Sequence, residues 1–189
     1  MAVGIQFVKK KDIKHMLLTP EMEQLLNKQY TNEVASALLY KNIAGYFDDL
    51  YFPGFAQFFN EKYLEELEHA QKFYDYINRR DGRAKLAGID ESELKLTEES
   101  DVNNVLLPFY DSLKHEQQVS TWIYQIADKA QEIKDHATYN FILWFCDEQV
   151  DEEAEFLQLI AELELVKNDG GDLYKMDRRL GKQCLKKQK

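Results

Sequence analysis

Residues 59–77 read FNEKYLEELEHAQKFYDYI. Phe59, Tyr63, Glu66, Ala70, Phe73 and Ile77 recur every three or four residues, the spacing that turns one face of an α-helix toward a core. That face is apolar except at its middle, where Glu66 stands and His69 follows three residues later on nearly the same side. A carboxylate buried without a partner is costly. The stretch therefore predicts a long core helix whose glutamate has to meet a cation or a proton.

Working outward, the same design recurs three times. A helix over roughly 20–49 places Leu26, Tyr30, Glu33, Ala37, Tyr40, Ala44 and Phe47 on one seam, and it opens on the start signal Thr19-Pro20-Glu21. The quoted stretch belongs to a second helix, over roughly 54–80, between the breaks Pro53-Gly54 and Asp81-Gly82. A third helix, starting near Asp101, carries Leu106, Phe109, Leu113, Glu116, Ser120, Ile123 and Ala127. A fourth starts near Ile133 and stops at Asn168-Asp169-Gly170-Gly171, with Ile142, Phe145, Gln149, Glu152, Phe156, Leu159 and Leu163 on its seam. Residues 172–184 allow one short final helix, with Leu173, Met176 or Asp177, and Leu180 on one side.

Link lengths set the topology. Helices one and two, and helices three and four, are joined by a few residues, so each pair is antiparallel. The stretch 82–100 shows no helical period. Extended, its about 19 residues reach ~60 Å, against ~40 Å for a 27-residue helix. That is enough to run the length of the bundle and make helices two and three parallel. The expected fold is all-α: a four-helix bundle with one long crossover plus a short fifth C-terminal helix. Residues 16–189 form its single domain, and residues 1–15 read as a flexible N-terminal extension.

The chain has 189 residues with Lys+Arg 24 against Asp+Glu 34, a net charge of −10. A nucleic-acid binder needs a basic face, so nucleic acid is excluded as a partner, whereas an acidic chain attracts cations. No apolar run approaches the length of a membrane span. Two cysteines, Cys146 and Cys184, form no disulfide framework or zinc pattern, which fits a reducing, cytoplasmic setting.

Glu33, Glu66, Glu116 and Glu152 each fall near the middle of a helix of similar length, so they meet in one layer. The seams as read carry no Lys or Arg to pair with them. Protons could neutralise such a layer; two divalent metal ions would balance four carboxylates. An oxygen-rich set with one imidazole, His69, suits iron or manganese better than structural zinc. Tyr40 lies two turns after Glu33 on the same face, and Gln149 one turn before Glu152. His15, His115 and His136 match no seam position and read as solvated surface groups.

Taken together, Glu33 to Tyr40, Glu65-Glu66-Leu67-Glu68-His69, Lys114-His115-Glu116-Gln117 and Asp147-Glu148-Gln149-Val150-Asp151-Glu152-Glu153 resemble the bacterial non-haem ferritins. The resemblance covers roughly residues 16–180, and Gly171-Asp172-Leu173-Tyr174 is similar to the entry of that family's fifth helix. It implies a ferroxidase centre with two irons per subunit. Glu33, Glu66 and His69 would hold one; Glu116 and Glu152 would hold the other, with Glu66 bridging, Gln149 close by and Tyr40 beside the centre. A third iron would use Glu65, Glu148, Asp151 and Glu152, although Asp151 stands where the family has a glutamate. Glu155, three residues after Glu152, is no histidine, so the site is asymmetric, unlike the bacterioferritin and rubrerythrin patterns.

The resemblance further implies that Fe2+ is oxidised by O2 or H2O2 and stored as Fe3+ mineral inside a hollow homo-oligomeric shell of about 24 identical chains. Two other readings fit the residues. One is a di-iron enzyme with a fixed cofactor acting on peroxide or an organic substrate. The other is a non-catalytic bundle that uses its outer faces for protein contacts, its acids protonated or bound to adventitious ions.

Overall fold

The protein was analysed as a computed structural model, which describes residues 18–90, Leu94 and 105–187, with side chains as far as Cys184. Five helices follow in order: α1 (Pro20–Asp49), α2 (Pro53–Arg79), α3 (Leu107–Glu132), α4 (His136–Val166) and α5 (Gly170–Lys187). The proposed extension, 1–15, lies outside the described residues.

Local chemistry explains the helix ends, including three that differ from expectation. Thr19 caps α1, its hydroxyl accepting from the Met22 amide at 3.2 Å. The third helix starts at Leu107 rather than near Asp101, with Pro108 in its first turn; Asp101 lies outside the described residues. The fourth starts at His136, not near Ile133. Lys134 turns into the left-handed region at φ 57° and ends α3, and Asp135 then caps α4. Gly170 and Gly171, expected to lie before the final helix, form its first turn. The Asp169 carboxylate caps that turn, accepting from the Gly171 and Asp172 amides at 2.8 and 3.1 Å.

Two apolar cores reveal the helix directions. One joins Tyr40 and Phe47 of α1, Phe55 and Phe59 of α2, Phe109 of α3, Phe156 and Leu163 of α4, and Leu173 of α5. The other joins Met22 and Leu26, Phe73 and Ile77, Ile123 and Ile126, and Ile142 and Phe145. The end of α1, the starts of α2 and α3 and the end of α4 thus share one end of the bundle. Helices α2 and α3 run parallel, so the link between them must travel the bundle's length. Its described part runs beside α1. Arg83 donates to Glu23, Lys85 to Asn27 and Ala87 to Thr31, and Asn42 donates to the Leu94 carbonyl.

Helix α5 closes the first end by docking on α2. The start of α2 has no side-chain cap of its own. Asp177 of α5 supplies one, accepting from the Phe55 amide at 2.8 Å. The approach requires glycine: a Cβ on Gly54 would stand 1.8 Å from the Asp177 carbonyl oxygen, and one on Gly181 3.0 Å from the Gly54 Cα. Between the two apolar cores lies a polar layer.

Candidate metal centre

Each helix of the bundle contributes one nearly water-free glutamate to that layer. Glu33, Glu66, Glu116 and Glu152 are 1–3% exposed, and His69 is equally buried. On the α1–α2 side, the His69 Nδ1 lies 3.5 Å from Glu66 Oε2 and 3.9 Å from Glu33 Oε2. Glu33, Glu66 and His69 each present a ligand atom within 4.8 Å of the others'. Gln29, one turn before Glu33, donates to its Oε1 at 2.8 Å, and Asn32 in turn donates to Gln29. These neighbours fix the Glu33 carboxylate in place.

On the α3–α4 side, Glu116 accepts from the Tyr40 hydroxyl and, at 3.1 Å, from Gln149 Nε2, which also donates to the Glu116 carbonyl at 3.2 Å. Tyr40 is completely buried, and its ring packs against Phe59 and Phe156. A second carboxylate group, Glu65, Glu148 and Glu152, also brings its oxygens within 4.8 Å of one another. Asp151 is not part of it: its side chain is exposed.

Sequence reasoning missed a cation. The seams were expected to hold no Lys or Arg, yet Lys62 is 4% exposed, with its Nζ 2.6 Å from Glu152 Oε2. It lies four residues before Glu66, one helical turn away, a spacing that could have revealed it. Gln29 and Asn32 were missed as well. His115, expected in solvent, is half-buried, with its Nε2 2.8 Å from Ser36 Oγ and its ring edge-on to Tyr40. His136 is exposed as expected, and His15 lies outside the described residues.

The electrostatics follow from crowding acids in a dry layer. Burial, then the neighbouring Glu66, raises the Glu33 carboxyl well above the usual range, and burial with Glu116 does the same to Glu66. Burial also lifts Glu152, to about 7, despite Lys62 beside it. Burial and the Glu116 charge hold the Tyr40 phenol well above its usual value, so it stays a proton donor. One ammonium cannot balance four carboxylates. The donor set is hard, anionic and short of positive charge, which fits divalent iron.

The ferritin sequence pattern, a ferritin-like domain, matches residues 23–166. The chain belongs to the ferritin family. It is 36% identical over 165 residues to a bacterial non-heme ferritin of Staphylococcus aureus, covering 87% of this chain and 96% of that one. A bacterial non-heme ferritin of Staphylococcus haemolyticus is 35% identical over 164 residues, covering 87% and 95%. Among solved structures, an open pore ferritin from the archaeon Archaeoglobus fulgidus superposes with a TM-score of 0.81 at 35% identity, covering 87% of this chain and 96% of that one. Ferritin membership and the buried carboxylate layer together make iron storage with ferroxidase activity the function of this chain. Among the described residues, no helix is long and apolar enough to cross a membrane.

Proposed function

We propose that this ferritin binds Fe2+ in pairs at the buried layer, oxidises it with O2 or H2O2, and deposits Fe3+ as hydrated oxide inside a homo-oligomeric shell of about 24 subunits. Glu33, Glu66 and His69 take one iron. Glu116 and Glu152 take the other, and Glu66 bridges the two. Each Fe2+ gives up one electron, so a pair supplies the two that convert O2 and two protons into H2O2, or H2O2 and two protons into two waters. Carboxylate oxygens favour the higher ferric charge and so assist the oxidation.

Tyr40 and Gln149 act on the second iron's ligands. Both donate to Glu116. Those two hydrogen bonds hold the carboxylate's orientation, as donors around metal ligands do. On this reading Tyr40 keeps its proton on the ligand oxygen. The reducing cytoplasm suits both a supply of Fe2+ and the two free cysteines, Cys146 and Cys184.

The observation that carries this reading is the meeting of Glu33, Glu66, Glu116 and Glu152, one from each helix, at 1–3% exposure beside His69. The test is to load metal-free protein aerobically with excess Fe2+ and count the iron retained on a sizing column. The expected result is far more iron per chain than the layer can hold, on a particle on the order of half a megadalton, about 24 chains of 22.3 kDa. Two irons per chain on a small oligomer would sink storage in favour of a fixed di-iron cofactor.

A further inference from the structure

The iron reading leaves Lys62 without a role, although its position is costly. Its side chain is 5% exposed, and its Nζ lies 2.6 Å from Glu152, 2.7 Å from Glu155 and 3.3 Å from Glu65. The rings of Phe58 and Phe156 lie 5.8 and 5.9 Å from the ammonium and exclude water on that side. Burying a lysine this deeply requires partners that hold its charge, and three carboxylates provide them.

Two of those three, Glu65 and Glu152, also belong with Glu148 to the second group of converging oxygens. Three carboxylates at that spacing are a ligand set for a divalent ion. The group is not sealed off: Glu61, Lys62, Glu65, Glu68 and Glu155 line a groove open to solvent. An ion that entered would take Glu152 oxygen at about 2.1 Å. That would bring it within about 5 Å of the ammonium, with only the shared carboxylate between two positive charges.

We propose that Lys62 is a tethered cation standing in place of a third metal ion at the Glu65–Glu148–Glu152 group, which limits the centre in each chain to two irons, whatever mineral the shell then stores. The inference rests on the iron reading of the neighbouring layer. It also assigns Glu152 two partners, the second iron on one side and the ammonium on the other. Asp151 fits the same picture, since its exposed side chain adds nothing to the group.

The test counts ions on the full-length protein with Co2+, which is not oxidised during the measurement. Protein saturated with Co2+ is stripped by graded competition with a chelator, and the ions released per chain are counted by elemental analysis. Starting from loaded protein avoids the need for Lys62→Gln to fold without metal. Wild type should hold two ions tightly, and Lys62→Gln a third, at least tenfold tighter than any further ion in wild type. Lys62→Arg, which keeps the charge, should stay at two. Lys62→Gln combined with Glu148→Gln should lose the third ion, placing it in this group. Three tight ions in wild type, or two in both wild type and Lys62→Gln, would overturn the inference while leaving the iron reading intact. No tight ion in wild type would overturn the iron reading and this inference with it.

Discussion

Arg80 and Lys62 are both cations withdrawn from water near α2, and their surroundings differ in one respect. Arg80, just beyond the end of the helix, grips both oxygens of Asp135 at 3.0 and 3.1 Å and also donates to Tyr76 and Thr138. The pairing with Asp135 is one charge against one. Lys62 faces three carboxylates, and one of them, Glu152, also feels the charges of Glu66 and Glu116. The first arrangement matches cation to carboxylate and ties the end of α2 to the start of α4. The second carries an excess of negative charge that the described residues do not neutralise. Local charge balance therefore separates a corner built to stay folded from a layer built to receive cations.

The carboxyl groups respond in opposite directions. Burial raises Asp135, but the hydrogen bonds from Arg80 and Thr138 outweigh it and hold the group below its usual value. Glu152, with a lysine of its own, is still raised to about 7, because burial and the surrounding acids exceed what Lys62 supplies. The corner gains from ionisation, whereas the layer without metal is penalised by it.

Removing each cation's partner breaks the comparison most directly. Arg80→Met leaves Asp135 largely buried without its charge partner and should cost about 3 kcal/mol of stability. Thermal unfolding measures it, and the rate of Fe2+ oxidation per folded chain should stay at the wild-type value. A large loss of rate without a loss of stability would show that the corner is not separate from the layer.

Glu66→Gln keeps the shape of the side chain and removes a charge that two irons share. Oxidation of Fe2+, followed by stopped-flow absorbance, should fall about 100-fold, equivalent to about 2.7 kcal/mol. Without metal, the variant should melt no lower than wild type, because an unbalanced buried acid has gone. A lower melting temperature in the metal-free variant would mean that the layer is stabilised by its own charges.

A third effect sharpens the same contrast. Co2+ at 100 times its dissociation constant should add about 2.7 kcal/mol to the stability of wild type, the linkage expected of a ligand that binds the folded state alone. Arg80→Met should gain as much, and Glu66→Gln much less. Equal gains in all three proteins would place the ion elsewhere.

How far the sequence revealed this depends on which turn of the helix is considered. The four glutamates and His69 were legible, because apolar residues at three- and four-residue spacing frame each of them. Their immediate neighbours were less so. The reading took Tyr30, Tyr63 and Leu113, three residues before Glu33, Glu66 and Glu116, as core; the structure half-buries these and buries Gln29, Lys62 and Ser112, four residues before, whereas in α4 Gln149, three before Glu152, is buried as read. Both positions lie on nearly the same face, and side chains lean toward the helix N-terminus, so sequence spacing alone does not choose between them. An apolar bias in choosing the seam hid two polar residues and the lysine. Lys134 was hidden for another reason. It ends α3 in a left-handed conformation without glycine, closing the helix through the Asp135 amide to the Ala130 carbonyl at 2.8 Å. His115 meets Ser36 across the α1–α3 contact, which no spacing within α3 encodes.

The smallest expected effect isolates the charge at the corner. Asp135 both caps α4 and pairs with Arg80, and asparagine caps a helix about as well as aspartate. Asp135→Asn therefore removes the charge while keeping the cap, and should cost about 1 kcal/mol at neutral pH. The sign with pH follows from the lowered value of Asp135 in the folded chain. Stability from its ionisation is fully present above the usual aspartate value of 3.8 and is lost as pH falls through the lower folded value. The gap in melting temperature between wild type and Asp135→Asn should therefore hold from pH 7 down to about 4 and close below that. A gap that persists unchanged to pH 2 would assign the cost to the lost geometry of the Arg80 contact, and the charge balance that distinguishes this corner from the layer would then not be what stabilises it.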